Sequence, residues 1–204
     1  MLKFFVTLLV VVEPVSVIPI FIALTEGDSE QERRRMARKG VIIATIILVI
    51  FSLVGGPFLR LMNISIDAFR IFGGLLLFLI ALEMVFARQS GSRTSHPEEE
   101  EGRKRADISV FPLAFPFIAG PGALATILLA FGPAAGDPVL YAGLLTVVLV
   151  VMVLCLLTLY VASPLMRVMG VTGANVVNRL FGVVLGALAV QFILDGVRAA
   201  FLTG

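Results

Sequence analysis

Residues 139–162, VLYAGLLTVVLVVMVLCLLTLYVA, run for 24 residues without a charged side chain. No other feature constrains folding as strongly. A helix of ~20 apolar residues is what the ~30 Å hydrocarbon core of a bilayer requires. A helix with no polar face has no place on the surface of a soluble bundle. VIIATIILVIFSLV, residues 41–54, is of the same kind. Windows 4–24, 41–59, 68–87 and 176–201 reach or approach the spanning length, and a sixth, 110–132, is apolar but interrupted by proline and glycine. Only 15% of the 204 residues are charged, against about 25% in a soluble domain, and mean hydropathy is +1.05. The predicted fold class is an all-α integral membrane protein with six transmembrane helices.

Several function classes drop out. The first window is longer than the roughly 7–15-residue core of a secretory signal and no A-x-A site follows, so it reads as a retained span. Cys155 is the only cysteine and lies within a span, so it forms no intramolecular disulfide. His96, the only histidine, falls in a polar loop, and no cluster has metal-ligand spacing. No nucleophile triad, P-loop or dinucleotide fingerprint is visible, which argues against an enzyme and against a bound cofactor. A net charge of +2, concentrated in loops, is no nucleic-acid signature. Loop charge also orients the chain, since Lys and Arg accumulate in cytoplasmic loops. Arg33, Arg34, Arg35, Arg38, Lys39, Arg88, Arg93, Arg103, Lys104, Arg105 and Arg167 fall in the loops after spans 1, 3 and 5, against Lys3, Arg60 and Arg198 on the other side. The expectation is a multi-pass protein of the cell (inner) membrane with both termini outside the cytoplasm.

The stretch RQSGSRTSHPEEEEGRKRAD, 88–107, is the one long polar segment and reads as a charged cytoplasmic tether. It divides the chain into a three-span repeat at 1–87, a linker at 88–109, and a second three-span repeat at 110–204. Arg70-Ile-Phe-Gly73 matches Arg179-Leu-Phe-Gly182 at an offset of 109, and Glu13-Pro14 aligns with Gly120-Pro121 at 107. Three spans per half reverse the second half relative to the first, which predicts an inverted-topology repeat, an architecture of secondary transporters.

Within the first span, VVEPVSVIPIF (11–21) carries Glu13, Pro14 and Pro19. Glu13 lies about nine residues in, ~14 Å at 1.5 Å per residue, near the midplane. A proline inside a helix costs about 3 kcal/mol, and an acidic side chain at that depth about 2.5–3.5 kcal/mol. Irregular backbone at such depth is tolerated where protein buries it or where it lines a wet cavity. Two half-helices resolve the conflict, with Pro14 in the first turn of the second. FPLAFPFIAGPGALATILLA, 111–130, repeats the device, with a new helix from about Pro121. Two half-helix N-termini meeting at the midplane could hold a carboxylate on backbone N–H groups, with Glu13 beside them for an ammonium group, a proton or a cation. The candidate substrate-binding residues are Glu13, Pro14, Ser16, Gly120, Pro121, Gly122, Thr126, Arg70 and Gln191. Gly120 and Gly122 are expected to let a ligand approach the backbone, and Ser16 and Thr126 to offer hydroxyls. The blander reading has the prolines only kinking packed helices and Glu13 pairing with Arg70 or Arg179. Asp67 is also placed to pair with Arg70, Asp195 with Arg198, and the Gly73-Gly74, Gly182 and Gly186 set reads as a close-packing seam.

EPVSVIPIFIALT, AFRIFGGLLLFLIALEM, PLAFPFIAGPGALATILL and ALAVQFILDGV resemble the four signature segments of the MarC family, also called the small neutral amino acid transporter family. The likeness covers most of the chain outside the charged linker, and Phe-Arg-Ile-x-Gly-Gly and Ala-Gly-Pro-Gly-Ala are its most specific parts. The resemblance implies six-span inner-membrane proteins, some of them carriers of glycine, alanine and other small neutral amino acids. The family's first motif usually reads Asp-Pro-x-Gly-Asn-x-Pro; here Glu13, Ser16 and Val17 stand for the aspartate, glycine and asparagine. The function expected is secondary transport of small neutral amino acids by alternating access, coupled to a proton or sodium ion. An exporter of an amino acid or small metabolite is the first alternative, and a non-transporting scaffold acting through the linker is the second. An ion channel and an intramembrane enzyme rank below these. The expected partners are the amino acid and the lipid bilayer, with a homo-oligomer left open and no nucleic acid.

Overall fold

The computed structural model describes residues 1–86 and 107–202, so the expected tether lies mostly outside the described residues. The described spans are helical apart from one irregular segment, Ser109–Ile118. Helices α1 (Leu2–Val12) and α2 (Pro14–Leu24) are separated by Glu13 alone. Pro14 has no N–H to continue the ladder of α1, so the chain must restart there. Glu13 closes α1 by donating its N–H to Leu9 O at 3.1 Å, and its own carbonyl opens α2 by accepting from Ser16 N and Val17 N. Serving both helices puts Glu13 in the left-handed region, φ 50°, ψ 59°. For a residue with a Cβ that conformation costs roughly 1–2 kcal/mol. Among the described residues only Asn63 is also a non-glycine at positive φ.

Helix α3 (Glu30–Leu61) begins about ten residues before its apolar portion. The segment SEQERRRMARKG, expected as a loop, is therefore mostly helix. The cause is local: Ser29 and Glu32 form a reciprocal capping box, and Arg34 pairs with Glu30 one turn away. At 1.5 Å per residue the 32-residue helix is ~48 Å long, well beyond the ~30 Å hydrocarbon core. Arg33 donates from Nε and Nη2 to Thr25 O, the buried end of α2. Helix α4 (Ile66–Phe86) ends the first half.

The second half opens with an irregular coil, Ser109–Ile118, in which Phe111 and Phe115 are extended and each precedes a cis proline, Pro112 or Pro116. Its backbone bonds reach five residues back, Leu113 N to Ile108 O and Ala119 N to Ala114 O. After Ala119 and Gly120 comes α5 (Pro121–Phe131), bent 57° from the coil. Helix α6 (Pro138–Tyr160) is capped by Asp137, which accepts from Val139 N and Leu140 N. Helix α7 (Ala162–Leu202) is interrupted at Gly170, φ 62°. Arg167, expected in a loop, lies in its first part. Among the described residues five segments are long and apolar enough to cross a membrane, and the bent pair makes a sixth if it counts as one span.

The broken spans hold the centre. Over half (56%) of the first span's apolar window is buried, against 22–33% for the other four long spans. α1 packs on α5 and α2 on the irregular coil; α3 covers the coil and α5, α6 lies against α1, α2 and α3, and α7 packs on α2. The closest pairing is α4 with α7. A Cβ on Gly74 would lie 2.9 Å from Ala189 O, one on Gly182 3.1 Å from Ala81 O, and one on Gly196 3.0 Å from Asp67 O. Small residues let these two backbones approach, as is usual between membrane helices.

Candidate functional site

Both helix breaks lie at the core, side by side. Glu13 is 2% exposed and Pro14 is buried. Across from them, a Cβ on Gly122 would meet Val11 Cγ1 at 3.2 Å, Leu77 Cδ2 at 3.0 Å and Ile80 Cδ1 at 3.1 Å. Val11 is two residues before Glu13, so α1's end and α5's start are in contact. Neither α2 nor α5 has a side-chain cap at its N-terminus, although each starts with proline at its first position. In α2 the N–H groups of Ser16 and Val17 are held by Glu13 O, and at the start of each half-helix the helix dipole favours an anion.

The space beside the two glycines is filled. Val11, Leu77 and Ile80 occupy it at Gly122, and Pro116 O lies 2.4 Å from where a Cβ of Gly120 would be. Gly120 is there because the irregular coil folds back onto it; its own φ of −72° would suit any residue. Ser16 donates to Asn178 Oδ1 at 2.8 Å, tying α2 to α7. Thr126 is 2% exposed and donates to Gly122 O at 2.9 Å. Arg70 pairs with Asp67 at 3.3 Å as its spacing predicts. Arg179 is exposed. Gln191 is exposed and donates to Asp195 Oδ1 at 2.7 Å, so Asp195 takes this amide rather than Arg198.

A cleft of 390 Å³ opens beyond α5's first turns, lined by Lys3, Thr7, Arg70, Thr126 and Asp195 among apolar neighbours such as Phe192. Two predicted residues, Arg70 and Thr126, line it; Glu13 does not. The sequence marks Lys3 only as an outer-side charge and does not mark Thr7. Thr7 had one signal: it sits one turn before Val11, on the face that reaches the break. Asn178 had none, since its partner Ser16 is 162 residues away.

The MarC profile, described as an integral membrane protein family, matches residues 1–201. The chain is 36% identical over 200 residues to the UPF0056 membrane protein YvbG of Bacillus subtilis, covering 97% of this chain and 93% of that protein. It is 35% identical over 200 residues to the UPF0056 membrane protein YhcE of Escherichia coli, covering 98% and 92%. A UPF0056 membrane protein of Methanocaldococcus jannaschii is 37% identical over 194 residues, covering 94% and 93%. No solved structure matches the chain. With its full length matched and its spans, helix breaks and glycine seam in place, the chain belongs to the MarC family of integral membrane proteins.

Proposed function

We propose that the protein is a secondary transporter of small neutral amino acids, glycine or alanine in type, working by alternating access. The observation that carries this is the meeting of two helix breaks in the core with the Glu13 carboxyl buried at one of them. A zwitterion needs backbone N–H groups for its carboxylate and an anion for its ammonium, and half-helix ends beside Glu13 supply both. Glu13, Pro14, Ser16, Gly120, Pro121, Gly122 and Thr126 form this site in our reading. Val11, Leu77 and Ile80, packed at Gly122, must move for a ligand to enter, so this arrangement is a closed one. A proton or sodium ion taken up at Glu13 or at the carbonyls of residues 119–122 supplies the coupling.

An inverted repeat gives the motion its geometry. The contacts support it to within one residue: Gly74 meets Ile193 while Gly182 meets Met84, pairs offset by 108 and 109 against the 109 found between the motifs. α5 packs on α4 as α2 packs on α7. In this reading both termini face away from the cytoplasm and the Arg-rich start of α3 faces it.

Uptake of labelled glycine and alanine into proteoliposomes tests the proposal, with wild type compared to Glu13→Gln. Uptake abolished by the substitution supports both the transporter and the site. Unchanged uptake keeps the transporter and removes Glu13 from the mechanism. No uptake of either substrate by sealed, folded wild type refutes the assignment and favours an exporter or a scaffold.

A further inference from the structure

The cleft beyond α5 gathers charges of both signs from three elements that are remote in sequence. Lys3 comes from the start of α1, Arg70 from α4 and Asp195 from α7. The α4 and α7 turns abut there, because a Cβ on Gly196 would lie 3.0 Å from Asp67 O and 2.8 Å from Ile71 Cγ1. Two threonines, Thr7 and Thr126, each 2% exposed, also line this space. Their hydroxyl hydrogens are used on Lys3 O and Gly122 O, which leaves oxygen lone pairs for a donor. Arg70 touches Asp67 through one nitrogen only, at 3.3 Å, and a guanidinium has five N–H donors. Asp195 accepts from Gln191 on Oδ1, leaving a second oxygen.

Charges at a bilayer boundary ordinarily sit apart in water. These converge on one concavity whose 390 Å³ falls within the size range of small-molecule sites. We infer that this cleft is a second, outer binding site for a zwitterion, with Arg70 and Lys3 taking the carboxylate and Asp195 taking the ammonium. A ligand with only one of the two charges leaves the opposite set unmatched and desolvated, so the site selects for the zwitterion itself. Thr126 lies one turn from Gly122, which places the cleft as the antechamber of the break where Glu13 sits. The choice of glycine and alanine as ligands rests on the transporter reading above; the charge arrangement does not.

Equilibrium binding of labelled glycine and alanine to the full-length protein in nanodiscs tests it. Glu13→Gln should still bind, and adding Asp195→Asn or Arg70→Gln should weaken that binding about tenfold or more. Glycinamide and N-acetylglycine, each lacking one charge, should fail to compete. A second measurement is independent of how those variants fold. In a Cys155→Ala background, Leu140→Cys, on the exposed rim of the cleft, should react with a small thiosulfonate reagent more slowly when alanine is present, and that protection should survive Glu13→Gln. Binding lost in Glu13→Gln and untouched by Asp195→Asn overturns the outer site and leaves the transporter standing. Unprotected Leu140→Cys at saturating alanine also overturns it. No binding of either amino acid by any form overturns both readings.

Discussion

Replacing Gly74 with alanine probes the seam between α4 and α7. The added methyl would sit 2.7 Å from Ile193 Cγ1, 2.9 Å from Ala189 O and 3.1 Å from Ile193 N. The Ile193 side chain can turn away, but the two backbone atoms cannot, so the helices must part by about half an ångström to regain normal contact. Overpacking of this kind costs about 1–3 kcal/mol, while alanine for glycine inside a helix contributes about 1 kcal/mol in favour. The net expectation is a loss of ~0–2 kcal/mol. Gly186 is the control on the facing helix. Its methyl would meet Ala81 Cβ at 3.6 Å, an ordinary contact, so Gly186→Ala should be neutral or stabilising by up to ~1 kcal/mol. Reversible unfolding in mixed micelles, titrated with SDS and followed by helical circular dichroism, would read both. Two variants unfolding within about 0.5 kcal/mol of each other would refute the argument that backbone approach at Gly74 decides the seam.

Gly120→Ala places a methyl 2.4 Å from Pro116 O, and should lower the yield of monodisperse protein on size-exclusion chromatography, with a stability loss of ~2 kcal/mol or more; wild-type yield would show that the coil relaxes freely. A double-mutant cycle on Ser16→Ala and Asn178→Ala should return a coupling of ~0.5–1.5 kcal/mol for their 2.8 Å hydrogen bond, and additivity would mean that the bond does not hold α2 to α7. Asp107 is held below its usual 3.8, to about 2, by the Lys39 ammonium and the Ser109 N–H. Its folded value is the depressed one, so the contact's contribution is fully present above pH ~4 and lost as pH falls through ~2. Both side chains are about half exposed, so Asp107→Asn should cost under ~1 kcal/mol at neutral pH, with the gap to wild type closing between pH 4 and 2; a gap that persists at pH 2 would exclude the ion pair as its cause.

Apolar spans and helix breaks are legible in this sequence because their causes are local. Pro14 and Pro121 lack the N–H that a continuing helix needs, and that property survives any tertiary context. Most of the glycine seam is legible too, since Gly74, Gly182 and Gly186 stand at helical spacing and face the α4–α7 joint, whereas Gly73 packs against Ala125 and Leu129 of α5. The start of α3 is encoded by the Ser29 and Glu32 capping box, a signal masked in the sequence by the run of arginines that follows it. The form of Ser109–Ile118 was not readable, because Phe-Pro pairs permit several backbone paths and packing against α3 selects one. The cleft was hidden for a different reason: Lys3, Arg70 and Asp195 each look like an ordinary span-end charge until the fold brings them together. Gln191 shows the converse, since its depth in an apolar run pointed inward while the helix turns it to an exposed face.

The pairing of Gly74 with Ile193 also sets a schedule for biogenesis. The two positions are 193 − 74 = 119 residues apart, and synthesis at about 5–20 residues per second separates their emergence by ~6–24 s. Throughout that interval Gly74 of α4 is without the mate that covers it in the finished fold. The chain cannot complete its tightest joint until its last span has been inserted, so a ribosome that stalls before Ala189 leaves a protein with most of its spans made and its principal seam open.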